Sequence, residues 1–299
     1  MTRHPRVGLV LSGGAARGFA HIGVLQALEA RDMRVDVIAG TSMGAILGAL
    51  YANGMTADEV YELADDVSMR DVLDFSLQTG LMKGEKLQTY LAEHLPARFE
   101  QLRKPFAVTT TDIESGDEHV LLEGDLVRAV RASASFPGAF EPVELHGRTL
   151  ADGGIVNNLP VQAVSLLDCD FIIASDTTSP RRSVLPSDED AAESWWQRMA
   201  KTLRLERRNP MLGMMLRSTD VMQAMLTELQ YALHPANVRI VLDMPQYRVE
   251  SFRAFRSIVS TGREVAERSL DAIARDRPDA LPPTWDAPAR EATASSDRG

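Results

Sequence analysis

Three short segments carry groups that could do chemistry if the fold brings them together. Gly40-Thr41-Ser42-Met43-Gly44 has the G-x-S-x-G spacing of a nucleophile elbow. A serine in that setting sits on a strained turn between strand and helix, and its flanking glycines remove side chains that would clash. The residues before it read as a buried strand (35–39) and those after it as a small-residue helix (43–52), which makes Ser42 the candidate nucleophile. Ser12-Gly13-Gly14-Ala15-Ala16-Arg17-Gly18 lies in the same context, between a strand over 7–11 and a helix over 17–29. Glycines there allow a tight turn that aims unshielded N–H groups at one point, and the helix N-terminus adds partial positive charge. Such a nest holds an anion, either a phosphate or the oxyanion of an acyl-transfer intermediate. The third segment, Asp152-Gly153-Gly154, ends a short strand with an acid, and its two glycines admit close backbone approach by another loop. Taken alone, the third reads better as a simple turn aspartate.

A serine nucleophile needs a base. Of the six histidines, His4 is in the N-terminal arm, His21 and His94 lie in helical patterns and His119 precedes an apolar strand run. Each is expected to be a surface or capping residue. His146, in a hairpin-like turn, and His234, before Pro235, read the same way but are the two placed to compete as triad bases. An aspartate with an ordinary pKa near 4 is a poor base. Burial against apolar walls, with a hydrogen bond from the serine, would raise its basicity. No ligand cluster has metal spacing, and no cofactor is called for.

The elements that must position these segments alternate along the chain. Further strands are expected over 106–111, 120–122, 149–151 and 171–174, with helices over 126–132 and 159–167. Thr56 and Glu59 form a capping box that opens another helix. Alternation of this kind predicts an α/β fold with a largely parallel sheet. Residues 6–176 are the expected catalytic core. Residues 177–281 read as a helical continuation of the same domain, a lid or cap, in which Met222, Met225, Leu226, Leu229 and Leu233 line one face of a long helix covering the sheet. A strand over 238–242 and a helix over 252–274 follow. Residues 282–299 are rich in Pro, Ala, Ser and Thr and are expected to be a disordered tail.

Composition narrows the partners. The 299 residues are 44% hydrophobic and 25% charged, with a net charge of −10 that would on average repel nucleic acid. The one cysteine, Cys169, excludes an intrachain disulfide framework and fits a reducing compartment. No apolar run approaches the ~18–20 residues of a membrane span, and the N-terminus has no leader-like apolar region, so a cytoplasmic protein is expected. One stretch departs from the acidic average: residues 194–217 hold six Lys or Arg, including Lys201, Arg204, Arg207 and Arg208, beside Trp195 and Trp196. That composition suits transient, peripheral contact with an anionic lipid surface.

In this order, the motifs resemble the bacterial patatin-like phospholipases, nearest the group that includes the catalytic domain of neuropathy target esterase. The resemblance covers roughly residues 6–176. Besides the three segments it rests on His21-Ile22-Gly23-Val24-Leu25, Thr110-Thr111-Asp112 and Arg131-Ala132-Ser133-Ala134-Ser135-Phe136-Pro137. It implies a three-layer sandwich with a mostly parallel central sheet flanked by helices. It also implies a serine acyl hydrolase acting on lipid or acyl esters through a Ser–Asp dyad without histidine, here Ser42 and Asp152. The oxyanion hole would be main-chain amides of Gly13, Gly14, Ala15 and Arg17. The chain departs from the family at Ala15, where a third consecutive glycine is usual; a negative φ, which alanine adopts without cost, is expected there. Two other classes compete. A catalytically silent or weak relative would serve as a regulatory or interaction protein. A nucleotide-binding module would use Gly13 to Gly18 as an approximate G-x-G-x-x-G with Asp36 on the ribose, although Ala15 replaces the middle glycine and Asp36 opens its strand instead of ending it.

Overall fold

A computed structural model describes residues 5–67, 74, 82–178, 210–247 and 251–276. Within them lies one eight-stranded sheet, formed by β1 (Val7–Leu11), β2 (Val37–Thr41), β3 (Phe106–Asp112), β4 (Glu118–Leu121), β5 (Val143–Leu145), β6 (Arg148–Asp152), β7 (Phe171–Asp176) and β8 (Val238–Val241). Their order is β5-β6-β3-β2-β1-β7-β8, with β4 also paired to β3. The central run β3-β2-β1-β7-β8 is parallel, and β4, β5 and β6 add antiparallel pairs at one side.

β1 and β2 are buried along their whole lengths, which explains their nearly continuous apolar sequences. Alternate residues feed two separate cores. Leu9, Leu11, Ile38, Phe106 and Val108 face one layer, built from α1 (Ala20–Glu29), α2 (Met43–Ala52), α3 (Ala57–Asp66), α4 (Glu85–His94) and α5 (Leu126–Ser133). Val10, Val37, Ala39 and Ala107 face the other, where α6 (Val161–Ser165) packs with Tyr231 of α7 (Pro210–Leu233). The result is three layers, helices on both sides of a mostly parallel sheet. The last helix, α8 (Phe255–Asp276), closes against α1 at very short range: a methyl on Gly262 would lie 2.3 Å from the Ala20 carbonyl oxygen.

Two expectations shift and one holds. The helix expected over 17–29 begins instead as a 3₁₀ turn, Ala15–Phe19, because the chain must bend tightly out of β1 before α1 starts. The capping box at Thr56 is present, with Glu59 bonded back to the Thr56 amide at 2.7 Å. The apolar stripe of α7, however, does not cover the sheet. Met222, Leu229 and Leu233 are 62%, 58% and 64% exposed, and Gln223 and Thr227 turn inward instead. Periodicity identifies an amphipathic helix but cannot say which face is covered. Trp195, Trp196, the cations Lys201 to Arg208 and the tail 282–299 lie outside the described residues. No described helix is long and apolar enough to cross a membrane.

Candidate active site

β1 and β2 are adjacent and parallel, with Leu11 opposite Gly40, so the glycine loop and the elbow leave the sheet side by side at its C-terminal edge. Open α/β sheets place ligands at that edge. Ser42 has φ +54° and ψ −120°, the strained conformation of an elbow. The strain is held from outside the turn. The Ser42 amide donates to Ser133 Oγ at 2.8 Å, and that hydroxyl donates to the Thr109 carbonyl at 2.7 Å. The elbow glycines are required for space, since a methyl on Gly44 would lie 2.3 Å from the Leu11 carbonyl oxygen.

Asp152 ends β6 and is fixed at both backbone positions. Its amide donates to the Ser135 carbonyl at 3.0 Å, and its carbonyl accepts from Thr111 Oγ1 at 2.9 Å. The residue is 3% exposed, and its carboxylate accepts the Gly154 amide at 2.8 Å. Burial pushes its pKa up to about 6, because a dry site disfavours the charged form; hydrogen bonds from the Gly154 amide and, more weakly, the Ser42 hydroxyl pull the other way and lose. A carboxylate so placed is a better proton acceptor than one in water and remains ionised at neutral pH.

The glycine loop is wedged between Ser42, Asn158 and Thr177, the residue that follows β7. A Cβ on Gly13 would lie 2.4 Å from Asn158 Oδ1 and 3.3 Å from Ser42 Cβ, so the main chain passes directly beside the elbow. Two of its amides are already engaged: Gly13 donates to the Asn158 carbonyl at 3.1 Å and Arg17 to the Gly14 carbonyl at 3.0 Å. Among the described residues, the amides of Gly14 and Ala15 have no acceptor. Ala15 has φ +46°, not the negative value expected for it. The bend from β1 into the 3₁₀ turn demands a left-handed residue at that point, and alanine accepts it at a cost of ~1–2 kcal/mol.

Behind the loop is a buried polar support. Thr177 Oγ1 and Asn158 Nδ2 both donate to the Gly13 carbonyl, at 2.8 and 3.2 Å. His21 Nε2 lies 2.8 Å from the Ser12 carbonyl and its Nδ1 lies 2.7 Å from Ser175 Oγ. Complete burial lowers the His21 pKa to about 4, so the ring is neutral. A carbonyl only accepts, hence Nε2 carries the proton and Nδ1 accepts from Ser175. His21 is therefore a buried brace for the loop, not the surface or capping residue expected. His146 sits in the β5–β6 turn with φ +53°, and His234 follows α7. No described histidine is hydrogen-bonded to Ser42 or Asp152. Asp36, the ribose ligand of the nucleotide reading, is at the opposite edge of the sheet, where it accepts the Val7 amide at 3.0 Å and pairs with Arg34 at 2.7 Å.

Residues 9–165 match the family model described as patatin-like phospholipase. The chain belongs to the patatin-like phospholipase family. Among this patatin-like chain's relatives, an NTE family protein of Mycobacterium tuberculosis is 36% identical over 207 residues, which are 66% of this chain and 56% of that one. Human patatin-like phospholipase domain-containing protein 6 is 35% identical over 200 residues, 64% of this chain but 14% of the relative. The chain thus spans about half the length of its mycobacterial relatives and a small part of the mammalian ones. The crystal structure of VipD from Legionella pneumophila superposes with a TM-score of 0.55 over 91% of this chain and 67% of that chain, at 16% identity, and shares its fold.

Within this patatin-like core the structure brings Ser42, Asp152 and the glycine loop together. It adds four supporting residues that sequence reading does not single out: Ser133, Asn158, Thr177 and Gln223. Ser133 lies inside the quoted Arg131 to Pro137 run, and Asn158 is signalled by an asparagine pair two residues before Pro160. Thr177 and Gln223 carry no local signal, because their importance comes wholly from what tertiary packing puts beside them.

Proposed function

We propose that the protein is a serine acyl hydrolase, a lipolytic esterase of the phospholipase or lysophospholipase type, that releases fatty acids from lipid esters. The observation that carries this reading is a strained serine beside a buried, neutral-pH carboxylate and two amides without acceptors. Ser42 attacks the ester carbonyl while its proton passes to Asp152. The amides of Gly14 and Ala15 receive the tetrahedral oxyanion, each worth ~3–4 kcal/mol to the transition state. Gly13 and Arg17, whose own N–H groups are engaged, serve by holding the loop in shape. Asp152 returns the proton to the leaving alcohol, and water then repeats the cycle to free the acid. A weakly catalytic regulatory relative is the second reading, favoured by one observation, the left-handed Ala15.

The substrate reading rests on the outward stripe of α7, which lies next to the Asp152 loop through Gln223. Exposed apolar surface beside such a site suits lipid presented as an aggregate, with transient contact at its surface. Two assays test both parts. The protein should hydrolyse a p-nitrophenyl acyl ester, and a panel of lipids in vesicles should yield free fatty acid identified by mass spectrometry. Met222→Glu with Leu229→Glu should lower vesicle turnover about tenfold or more while leaving the soluble ester within about twofold, since each buried charge opposes lipid contact. Equal loss on both substrates would assign the stripe a structural role, and no hydrolysis of any ester would defeat the functional reading.

A further inference from the structure

α7 lies beyond the residues that match the family model, yet one of its side chains reaches the site. Gln223 Nε2 is 2.9 Å from the Gly154 carbonyl and 3.2 Å from Asn158 Oδ1. Its orientation is forced by chemistry. The Gly154 carbonyl can only accept, so the amide nitrogen must face it. Asn158 has its own Nδ2 committed to the Gly13 carbonyl at 3.2 Å and Thr178 Oγ1 at 3.1 Å, which leaves Oδ1 for Gln223. Two side-chain amides in series thereby use all four of their N–H donors. One end of this chain is Gly154, whose amide holds the Asp152 carboxylate; the other is Gly13, which adjoins the two amides without acceptors. Gly154 has no room for a side chain because Gln223 is there: a Cβ would lie 2.4 Å from Nε2.

We propose that Gln223 is a positioning residue that sets the Asp152 loop and the glycine loop at their working separation through Asn158. The inference rests on the acyl-hydrolase reading of the same site. General base and oxyanion donors act on one substrate carbonyl, so their separation must be held to within a fraction of an ångström, and an error near 1 Å costs about a hundredfold in rate. Nothing else described joins Gly154 to Asn158 through side chains.

The test is steady-state kinetics of the full chain on p-nitrophenyl butyrate. Gln223→Met keeps length and bulk but removes both donors; Gln223→Glu keeps the shape and places oxygens against two acceptors. Each should lower kcat about ten- to a hundredfold with KM within about twofold. Thr227→Val is the structural control. Thr227 is 1% exposed one turn further along the same inward face, and its hydroxyl bonds only to the Gln223 carbonyl at 2.8 Å. It should leave kcat within twofold even if the melting temperature falls. Should Gln223→Met fail to fold, Gln223→Glu carries the same comparison. Unchanged kcat in the Gln223 variants, or an equal loss in Thr227→Val, would overturn the positioning role while the functional reading stands. Absence of Ser42-dependent hydrolysis in the wild type would overturn both.

Discussion

Ser42→Ala should reduce hydrolysis of a p-nitrophenyl acyl ester at least about a thousandfold, to near the rate of the residual site. The size of the loss follows from what the variant removes. Without Oγ there is no acyl-enzyme, and no other described hydroxyl is both set on a strained turn and within reach of Asp152. Circular dichroism should show the fold intact, with melting unchanged or slightly lower. Alanine inherits the φ of +54°, so the strain in the elbow persists, and the buried carboxylate loses its weaker donor while keeping the Gly154 amide. Retention of wild-type turnover would exclude Ser42 as the nucleophile.

Asp152→Asn should abolish turnover to a similar extent and stabilise the protein, an unusual pairing that distinguishes a buried base from a structural aspartate. In the wild type the folded pKa of about 6 lies above the ordinary 3.8. Ionised Asp152 therefore costs stability at neutral pH, and that cost disappears as pH falls from about 6 to about 4, where the unfolded chain also takes up its proton. A rise of about two units corresponds to at most ~3 kcal/mol. Asparagine carries no such cost, so its melting temperature should exceed the wild type's by up to ~5 °C at pH 8, with the difference closing near pH 4. Wild-type turnover should fall along an acid limb near pH 6 for the same reason. His146→Ala and His234→Ala should each keep most activity; loss in either with native circular dichroism would restore a triad.

The strands and helices around the site were legible because each is a short, strongly patterned run. β1 and β2 are nearly pure apolar stretches flanked by glycine, and the capping box at Thr56 marks its helix start. Ser42 and Asp152 were legible for a related reason: their chemistry needs local glycines for space, and Gly44 and Gly153 pack against backbone oxygens at the distances that only glycine permits. Ala15 was misread because φ is decided by how the loop must bend under Thr177, more than thirteen dozen residues away along the chain. His21 was misread because a helical pattern does not report that its polar face closes on Ser12 and Ser175. The outward stripe of α7 was placed on the wrong side for want of any local sign that Gln223 and Thr227 are the inward residues. Local chemistry survives in sequence, whereas polar contacts across the fold do not.

The most direct measurement of the central claim is reaction of the full chain with a fluorophosphonate probe, followed by peptide mapping. An activated serine beside a buried carboxylate predicts a single adduct, on Ser42. Its rate of formation should fall as pH drops through about 6 and become negligible in Asp152→Asn. An adduct on another serine, no adduct at all, or labelling of Ser42 that is indifferent to Asp152 would contradict the dyad.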